Sequence, residues 1–211
     1  MENLKRFATP RTIVDVGVAH GTPELYCHFP NCRYLLVEAN PEYAPDLESL
    51  ATRMDAVVEN VFCGQEAGSA TLKISSDASK SSLYEAARDL AVEREIVVPV
   101  ASLDALVAKH RLEAPYLLKI DVEGAELDVI GGADETLNST EIVIAETSVA
   151  PRFQGGAELA DLVAAMKARG FSVFDIVGCF DFPAPGRLYQ ADLVFVRSDA
   201  DFRQVNLGVE H

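Results

Sequence analysis

The chain has 211 residues, the size of one ordinary domain, and 49% of them are hydrophobic. That share is enough to build a full core, so disorder of the whole chain is excluded. The sequence contains 18 basic and 33 acidic residues, a net charge of −15. Because nucleic-acid affinity depends mainly on neutralising phosphates with Lys and Arg, this balance argues against DNA or RNA as a partner. We expect a single folded domain over residues 1–211.

Signals for export, membrane insertion and zinc binding are absent from the sequence. No apolar run approaches the roughly 18 residues that cross a bilayer, and the first residues lack the apolar segment of a secretion signal. The four cysteines include no Cys-x-x-Cys pair. Cys27 and Cys32, with His28 between them, are interpreted as reduced thiols rather than metal ligands. These features predict a cytoplasmic protein with no membrane span.

Short runs rich in Val, Ile and Leu recur along the chain, and helical patterns separate them. Nearly continuous apolar runs are typical of strands buried on both faces of a sheet. The predicted strands are Thr12–Asp15, Tyr34–Glu38, Ala56–Val61, Tyr116–Asp121 and Glu141–Glu146. The predicted helices are Thr22–Phe29, Pro41–Met54, Ser102–Leu112, Gly124–Leu137 and Ala157–Arg169. Strands that alternate with helices over short connections predict a parallel sheet covered by helices on both faces.

Two features interrupt this alternation of strands and helices. Ala70–Ser75 and Glu95–Val100 are predicted as extra strands that flank a polar segment, Asp77–Arg94. Ser172–Val177 and Ala191–Arg197 are predicted as a closing hairpin.

The first predicted strand leads into a glycine turn, Val14–Gly21 (VDVGVAHG). Gly17 and Gly21 favour a tight strand-to-helix turn, where a ligand can approach the backbone and the next helix offers N–H groups. Glu38 ends the second predicted strand, where a carboxylate accepts hydrogen bonds from ribose hydroxyls in a doubly wound fold. The combination favours an adenosine-containing ligand.

Two details favour S-adenosylmethionine over NAD as that ligand. The turn lacks the full G-x-G-x-x-G that brings the backbone against a pyrophosphate. Asp15 precedes the first glycine, and its carboxylate suits a cationic amino group better than a diphosphate. The alternatives are an NAD-linked oxidoreductase and a non-catalytic scaffold that binds an adenosine ligand.

The most specific string in the chain is Lys119–Glu126 (KIDVEGAE), at the carboxyl end of a predicted buried strand. That edge of an open α/β sheet is the ligand-binding crevice, so we expect Asp121 to face the crevice. Glu126 is expected on a solvated face. Together with Gly131–Ala133 (GGA), the string resembles the signature of the FkbM family of S-adenosylmethionine-dependent methyltransferases.

The resemblance extends over residues 10–197 and implies both a fold and an activity. The implied fold is α/β, a Rossmann-like three-layer sandwich of the class I methyltransferase type, with a mostly parallel sheet and an antiparallel C-terminal strand. The implied activity is transfer of a methyl group from S-adenosylmethionine to a hydroxyl of a sugar, glycan or natural-product acceptor. The further matching elements are Asp15–Gly17 (DVG), Val37–Pro41 (VEANP), Ser81–Leu83 (SSL), Ser102–Asp104 (SLD) and Ile144–Glu146 (IAE).

By the same resemblance, Asp15 and the turn glycines hold the methionyl part of the cofactor, and Glu38 holds the ribose. Asn60 and Val61 are expected near the adenine, because they end the third predicted strand. The full predicted cofactor-binding set is Asp15, Gly17, Ala19, Gly21, Glu38, Ala39, Asn60, Val61 and Asp121.

Methyl transfer to an alcohol is assisted by a base that removes the hydroxyl proton. Asp121 is the first candidate and Glu123 the second, because two neighbouring carboxylates raise the pKa of one of them. Glu146 ends the next strand and is a third candidate; His20 is a fourth, since imidazole titrates near neutral pH. Three carboxylates can also hold Mg²⁺, but no His or Asn completes an oxygen-rich triad, so no metal site is predicted. Ser81–Ser82 is expected in a segment that folds over the cleft.

Overall fold

The structure, a computed structural model, describes residues 2–76, 81–86, 91–181 and 188–203. No helix in these ranges is long and apolar enough to cross a membrane. The strands are β1 (Thr12–Val16), β2 (Arg33–Val37), β3 (Ala56–Glu59), β4 (Phe62–Cys63), β5 (Gly68–Ser75), β6 (Glu85–Ala86), β7 (Val92–Ala101), β8 (Tyr116–Ile120), β9 (Thr140–Ser148), β10 (Phe153–Gln154), β11 (Phe171–Asp181) and β12 (Leu188–Arg197). The α-helices are α1 (Pro23–His28), α2 (Ala44–Ala51), α3 (Leu103–Lys109), α4 (Glu126–Gly131), α5 (Asp134–Asn138) and α6 (Leu159–Ala168).

The central sheet has the strand order β11-β12-β9-β8-β1-β2-β3. Strands β3, β2, β1, β8 and β9 run parallel to one another, whereas β12 is antiparallel to both β9 and β11. The expected mostly parallel sheet with an antiparallel C-terminal strand is therefore confirmed. Strand order reverses between β1 and β8, and in an open α/β sheet a ligand crevice forms at the carboxyl ends of the strands beside such a reversal.

Helices cover both faces of this sheet and complete three layers. On one face the strands pack against Leu106, Ile130 and Met166 of α3, α4 and α6. On the other face they pack against Leu25 of α1 and Leu47 of α2. All five residues of β1 are buried. A strand covered on both sides has no polar face, which explains why the apolar runs of the sequence are continuous rather than alternating.

Several element boundaries differ from those predicted from the sequence. The predicted helix Gly124–Leu137 is two helices, α4 and α5. The first ends at Gly131, and at the following Gly132 the backbone of another segment crosses closely, since a Cβ there would lie 2.1 Å from the carbonyl oxygen of Gly64. The predicted third strand, Ala56–Val61, ends earlier, at Glu59. The closing hairpin is longer than predicted, and its turn lies outside the described residues.

A second sheet, of order β4-β7-β5, confirms the two predicted extra strands. Between β5 and β7, residues 77–80 and 87–90 of the polar segment lie outside the described residues. The described part, Ser81–Ala86, is held at both ends by backbone pairing. The backbones of Lys73 and Ser82 exchange two hydrogen bonds, and β6 pairs with β10. This segment, Ser81–Ala86, is called the strap below.

Candidate functional site

A cleft of about 410 Å³ opens at the carboxyl ends of β1, β2, β8 and β9. It lies where the strand order predicts a ligand crevice. The glycine turn, the end of β2, the loop after β8 and the strap contribute to its walls. The predicted site residues that line it are Gly17, Ala19, His20, Gly21, Glu38, Ala39, Val61, Asp121, Glu123 and Glu146. Asp15 and Asn60 are not part of this lining, and Asn60 is exposed beyond β3.

The glycine turn is fixed against the neighbouring strands. Gly17 has a φ of +80°, and a Cβ there would lie 1.8 Å from the carbonyl oxygen of Asp121. Its N–H donates to the carbonyl of Val37 at 2.9 Å, and the N–H of Asp121 donates to the carbonyl of Val16 at the same distance. Position 17 therefore requires glycine both for its backbone conformation and for the close approach of β8.

Glu38 connects this turn to the end of β2. Its Oε2 accepts a hydrogen bond from the N–H of Ala19 at 2.8 Å, and its Oε1 accepts one from the N–H of Asn40 at 2.7 Å. Burial raises the pKa of Glu38, and these backbone donors oppose the rise. A carboxylate offers about four lone-pair sites, so each oxygen keeps one for a ligand in the cleft.

Asp15 lies behind the turn and is fully buried. Its Oδ2 accepts hydrogen bonds from Thr22 at 3.0 Å and from the hydroxyl of Tyr26 at 2.7 Å, which anchors the start of α1. Its Oδ1 lies 3.5 Å from Nζ of Lys119, a residue that does line the cleft. Asp15 is thus connected to the cleft through Lys119.

Lys119 also lies 3.1 Å from Oδ2 of Asp121. The charges of Asp15 and Asp121 outweigh the effect of burial and raise the pKa of Lys119, so the ammonium stays charged. The side chain of Asp121 is 34% exposed, against 10% for Glu123 and 15% for Glu146. Among these three carboxylates, Asp121 is therefore the most open to a ligand.

Glu123 and Glu146 share one cation, Arg152, which sequence reasoning missed. Nη2 of Arg152 lies 2.7 Å from Oε2 of Glu123, and Nη1 lies 3.3 Å from Oε1 of Glu146. Burial, followed by the charges of Asp121 and Glu123, raises the pKa of Glu146 to about 9, although Arg152 opposes the rise. Glu146 is consequently protonated at neutral pH. Arg152 lies in the irregular loop between β9 and β10, and no sequence pattern indicates it.

Asp192 is a further acidic residue beside this group that the sequence did not indicate. It lies on β12 directly opposite Glu146 of β9. Burial and the charge of Asp121 raise the pKa of Asp192, while Lys119 lowers it. A Cβ on Gly178 would lie 2.3 Å from Oδ2 of Asp192, so glycine on β11 leaves room for this carboxyl.

The expectation that Glu126 lies on a solvated face is wrong, because its side chain is buried, with 3% of the residue exposed. Its Oε1 accepts a hydrogen bond from the N–H of Gly124 at 2.9 Å. Burial raises the pKa of Glu126 to about 7. The bond stabilises a turn in which Glu123 and Gly124 have φ values of +51° and +96°. Ser82 of the strap holds the same turn by donating to the carbonyl of Glu123 at 2.6 Å.

His20 lies on the α2 side of the cleft. Its Nδ1 is 2.7 Å from Oδ2 of Asp46, and its ring makes an edge contact with Tyr43 at 4.8 Å between centroids. The side chain is 74% exposed. Its described contacts are therefore with α2 and Tyr43 rather than with the carboxylates, and its role as a base stays a prediction.

Within the described ranges, no group of three or more His, Cys, Asp or Glu side chains is arranged to hold a metal ion. The cleft carboxylates are instead paired with Lys119 and Arg152.

The strand order, with its antiparallel strand, and the crevice at its reversal define a class I methyltransferase fold. A sequence model of the FkbM methyltransferase domain matches residues 15–173, and the chain belongs to this family. No curated protein sequence matches the chain.

Solved structures are similar to this one. An FkbM methyltransferase from Methylobacillus flagellatus KT has a TM-score of 0.55 and 17% identity over 88% of this chain and 43% of that one. The magnesium protoporphyrin IX methyltransferase ChlM of Synechocystis PCC 6803, with bound S-adenosylmethionine, has a TM-score of 0.49 and 12% identity. The match covers 88% of this chain and 69% of ChlM. This chain thus spans less than half the length of the first of these proteins.

Proposed function

We propose that this protein transfers a methyl group from S-adenosylmethionine to a hydroxyl of a sugar, glycan or natural-product acceptor. The observation that carries the proposal is the position of Asp121. It directly follows a central strand, touches the glycine turn through its backbone, and presents a carboxylate that is more exposed than those of Glu123 and Glu146. A base in this place can meet both the cofactor and an acceptor.

The residues of the cleft fit the cofactor. Glu38 keeps acceptor sites for ribose hydroxyls, and the turn from Gly17 to Gly21 lets a ligand approach its backbone. Ala39 and Val61, which follow β2 and β3, form an apolar part of the cleft wall that suits an adenine. When bound, S-adenosylmethionine supplies an electrophilic methyl group.

Asp121 accepts the proton of the acceptor hydroxyl in this proposal. Its Oδ1 has no hydrogen-bond partner among the described residues, whereas Oδ2 is held by Lys119 at 3.1 Å. Lys119 orients the carboxylate. Glu146, protonated at neutral pH, can donate a hydrogen bond to an acceptor oxygen, and Glu123 is oriented by Arg152. His20 is the alternative base if the acceptor enters from the α2 side.

Calorimetry with S-adenosylhomocysteine and with NAD, followed by transfer assays with a labelled methyl donor, tests the proposal. We expect S-adenosylhomocysteine to bind at micromolar concentration, NAD to show no binding, and label to enter hydroxyl acceptors. Matched acceptors with an amine in place of the hydroxyl serve as controls. Binding of NAD alone would support the oxidoreductase alternative, and binding of S-adenosylhomocysteine without turnover on any acceptor would support a scaffold. Transfer to the amines alone would overturn the O-directed part.

A further inference from the structure

Arg152 is a largely buried cation, with 13% of its side chain exposed, that contacts two carboxyls of the cleft lining, Glu123 and Glu146. It bridges two carboxylates that come from different places, Glu123 in the loop after β8 and Glu146 on β9. Its guanidinium also lies over the rings of Phe153, at 5.3 Å, and Tyr189, at 5.6 Å. A planar fork with two nitrogens can bind two carboxylates at once, which an ammonium does less well.

The backbone fixes the place of this guanidinium. Phe153, next in sequence, packs so closely on Gly124 that a Cβ there would lie 2.8 Å from Cδ2 of Phe153. The N–H of Ala157 donates to the carbonyl of Gly124 at 3.0 Å, and β10 pairs with β6 of the strap. The loop that carries Arg152 is thus attached both to the turn that carries Glu123 and to the strap.

The charges around Arg152 show what its removal would change. The described groups that face Glu146 are Asp121 directly after β8, Glu123 from the same loop, Asp192 from β12 and two cations, Arg152 and Lys119. Lys119, on β8, is shared by Asp15 and Asp121. Without Arg152, carboxylates this close to one another can relieve their repulsion only by taking up protons or moving apart.

We infer that Arg152 is the positioning residue of the acceptor end of the cleft. By holding Glu123 in an ion pair and donating a hydrogen bond to Oε1 of Glu146, it fixes the positions of these two carboxyls beside Asp121, which alone meets the acceptor hydroxyl as a base. The inference rests on the proposed function, because it concerns the roles of Asp121, Glu123 and Glu146 in that same site.

Two variants, Arg152→Gln and Arg152→Lys, test the inference, with Arg169→Gln as the matched control. Among the described residues, Arg169 makes a single side-chain ion pair, with Asp134 at 3.0 Å. The first readout is the infrared titration of carboxyl groups in the ligand-free protein, with the band of Glu146 assigned as the one lost in Glu146→Gln. The second is the pH dependence of kcat and acceptor KM, and the third is affinity for S-adenosylhomocysteine.

In Arg152→Gln we expect the Glu146 carboxyl to titrate at higher pH and kcat/KM for the acceptor to fall about 10²-fold, the effect of a misplaced reacting group. Affinity for S-adenosylhomocysteine should be retained. Arg152→Lys should restore most of the titration but only part of the turnover, because an ammonium replaces the charge without the fork. Arg169→Gln should match the wild type in every readout.

The titration of Glu146 distinguishes failure of the inference about Arg152 from failure of the proposed methyl transfer. An unchanged Glu146 titration in Arg152→Gln would overturn the inference, whether or not the wild-type protein methylates any acceptor. A shifted titration in a protein that transfers no methyl group would overturn the proposed function instead. If Arg152→Gln does not fold, Arg152→Lys decides: an acceptor KM and pH profile equal to those of the wild type would overturn the inference.

Discussion

Gly17 and Asp121 meet at the base of the cleft: a Cβ on Gly17 would lie 1.8 Å from the carbonyl oxygen of Asp121. One residue belongs to the glycine turn after β1 and the other to the acidic string after β8. Two motifs that are far apart in the sequence therefore share one point of contact. Any side chain at position 17 must displace the backbone that carries Asp121.

Replacing Gly17 with Val should abolish binding of S-adenosylhomocysteine and lower thermal stability. The φ of +80° disfavours a β-branched residue, and the new atoms collide with backbone that cannot rotate away. Calorimetry and thermal unfolding measure the two effects. Gly68→Ala is the control, since a Cβ at Gly68 meets no atom within 4 Å. Wild-type affinity in Gly17→Val would contradict the role of the turn.

Glu38→Ala should weaken binding of S-adenosylhomocysteine. A lost hydrogen bond to a charged acceptor costs roughly 1.5–3 kcal/mol, and the turn also loses its attachment at Ala19. Glu48→Ala, at an exposed position of α2, serves as the control in the same titration. If folded Glu38→Ala kept the affinity of the wild type, the assignment of the end of β2 to the ribose would be wrong.

Glu126→Gln should make the protein more stable than the wild type at neutral pH. The pKa of Glu126 is raised from 4.5 to about 7 in the folded protein, so the folded state holds a proton that the unfolded state releases. The bound proton contributes to the free energy of unfolding. This contribution is fully present below pH 4.5 and is lost as the pH rises to about 7. The amide keeps an oxygen for the N–H of Gly124 and does not titrate.

Urea unfolding from about pH 5 to about pH 8 measures this difference, with Glu48→Gln as the exposed control. The stability of the wild type relative to Glu126→Gln should fall across this interval and level off above neutrality. A constant difference would show that the buried carboxyl does not titrate there.

The central strands and the mostly parallel sheet could be predicted from the sequence because strands buried on both faces have continuous apolar runs. The carboxyl ends of those strands likewise placed Glu38, Asp121 and Glu146 in one crevice. The break between α4 and α5 was not predicted, and it falls at Gly132, where the backbone of the distant Gly64 passes close by.

Arg152 and Asp192 could not be predicted for related reasons. Arg152 lies in an irregular loop whose path depends on packing against Gly124 and on pairing with the strap. Asp192 faces Glu146 only through the register of an antiparallel strand, and its room comes from Gly178. Each of these arrangements is a long-range contact that local sequence patterns do not encode.

Chelation with EDTA should leave most of the methyl-transfer activity intact. In the described part of the chain the cleft carboxylates are paired with Lys119 and Arg152, which supply the positive charge that a metal ion would otherwise bring. Activity assays before and after dialysis against EDTA measure the effect. Complete loss that Mg²⁺ or Mn²⁺ restores would instead make Asp121 and Glu146 metal ligands.

Asp121 is the proposed base of the reaction, and the turnover of Asp121→Asn with a labelled methyl donor tests this role most directly. We expect kcat to fall by roughly 10²–10⁴-fold, the usual contribution of general-base catalysis. Affinity for S-adenosylhomocysteine should change far less, because the amide preserves the shape and Glu38 is untouched. Glu123→Gln should have the smaller effect on kcat. An unchanged kcat in Asp121→Asn, with only the acceptor KM raised, would contradict the assignment and leave Asp121 as a group that positions the acceptor.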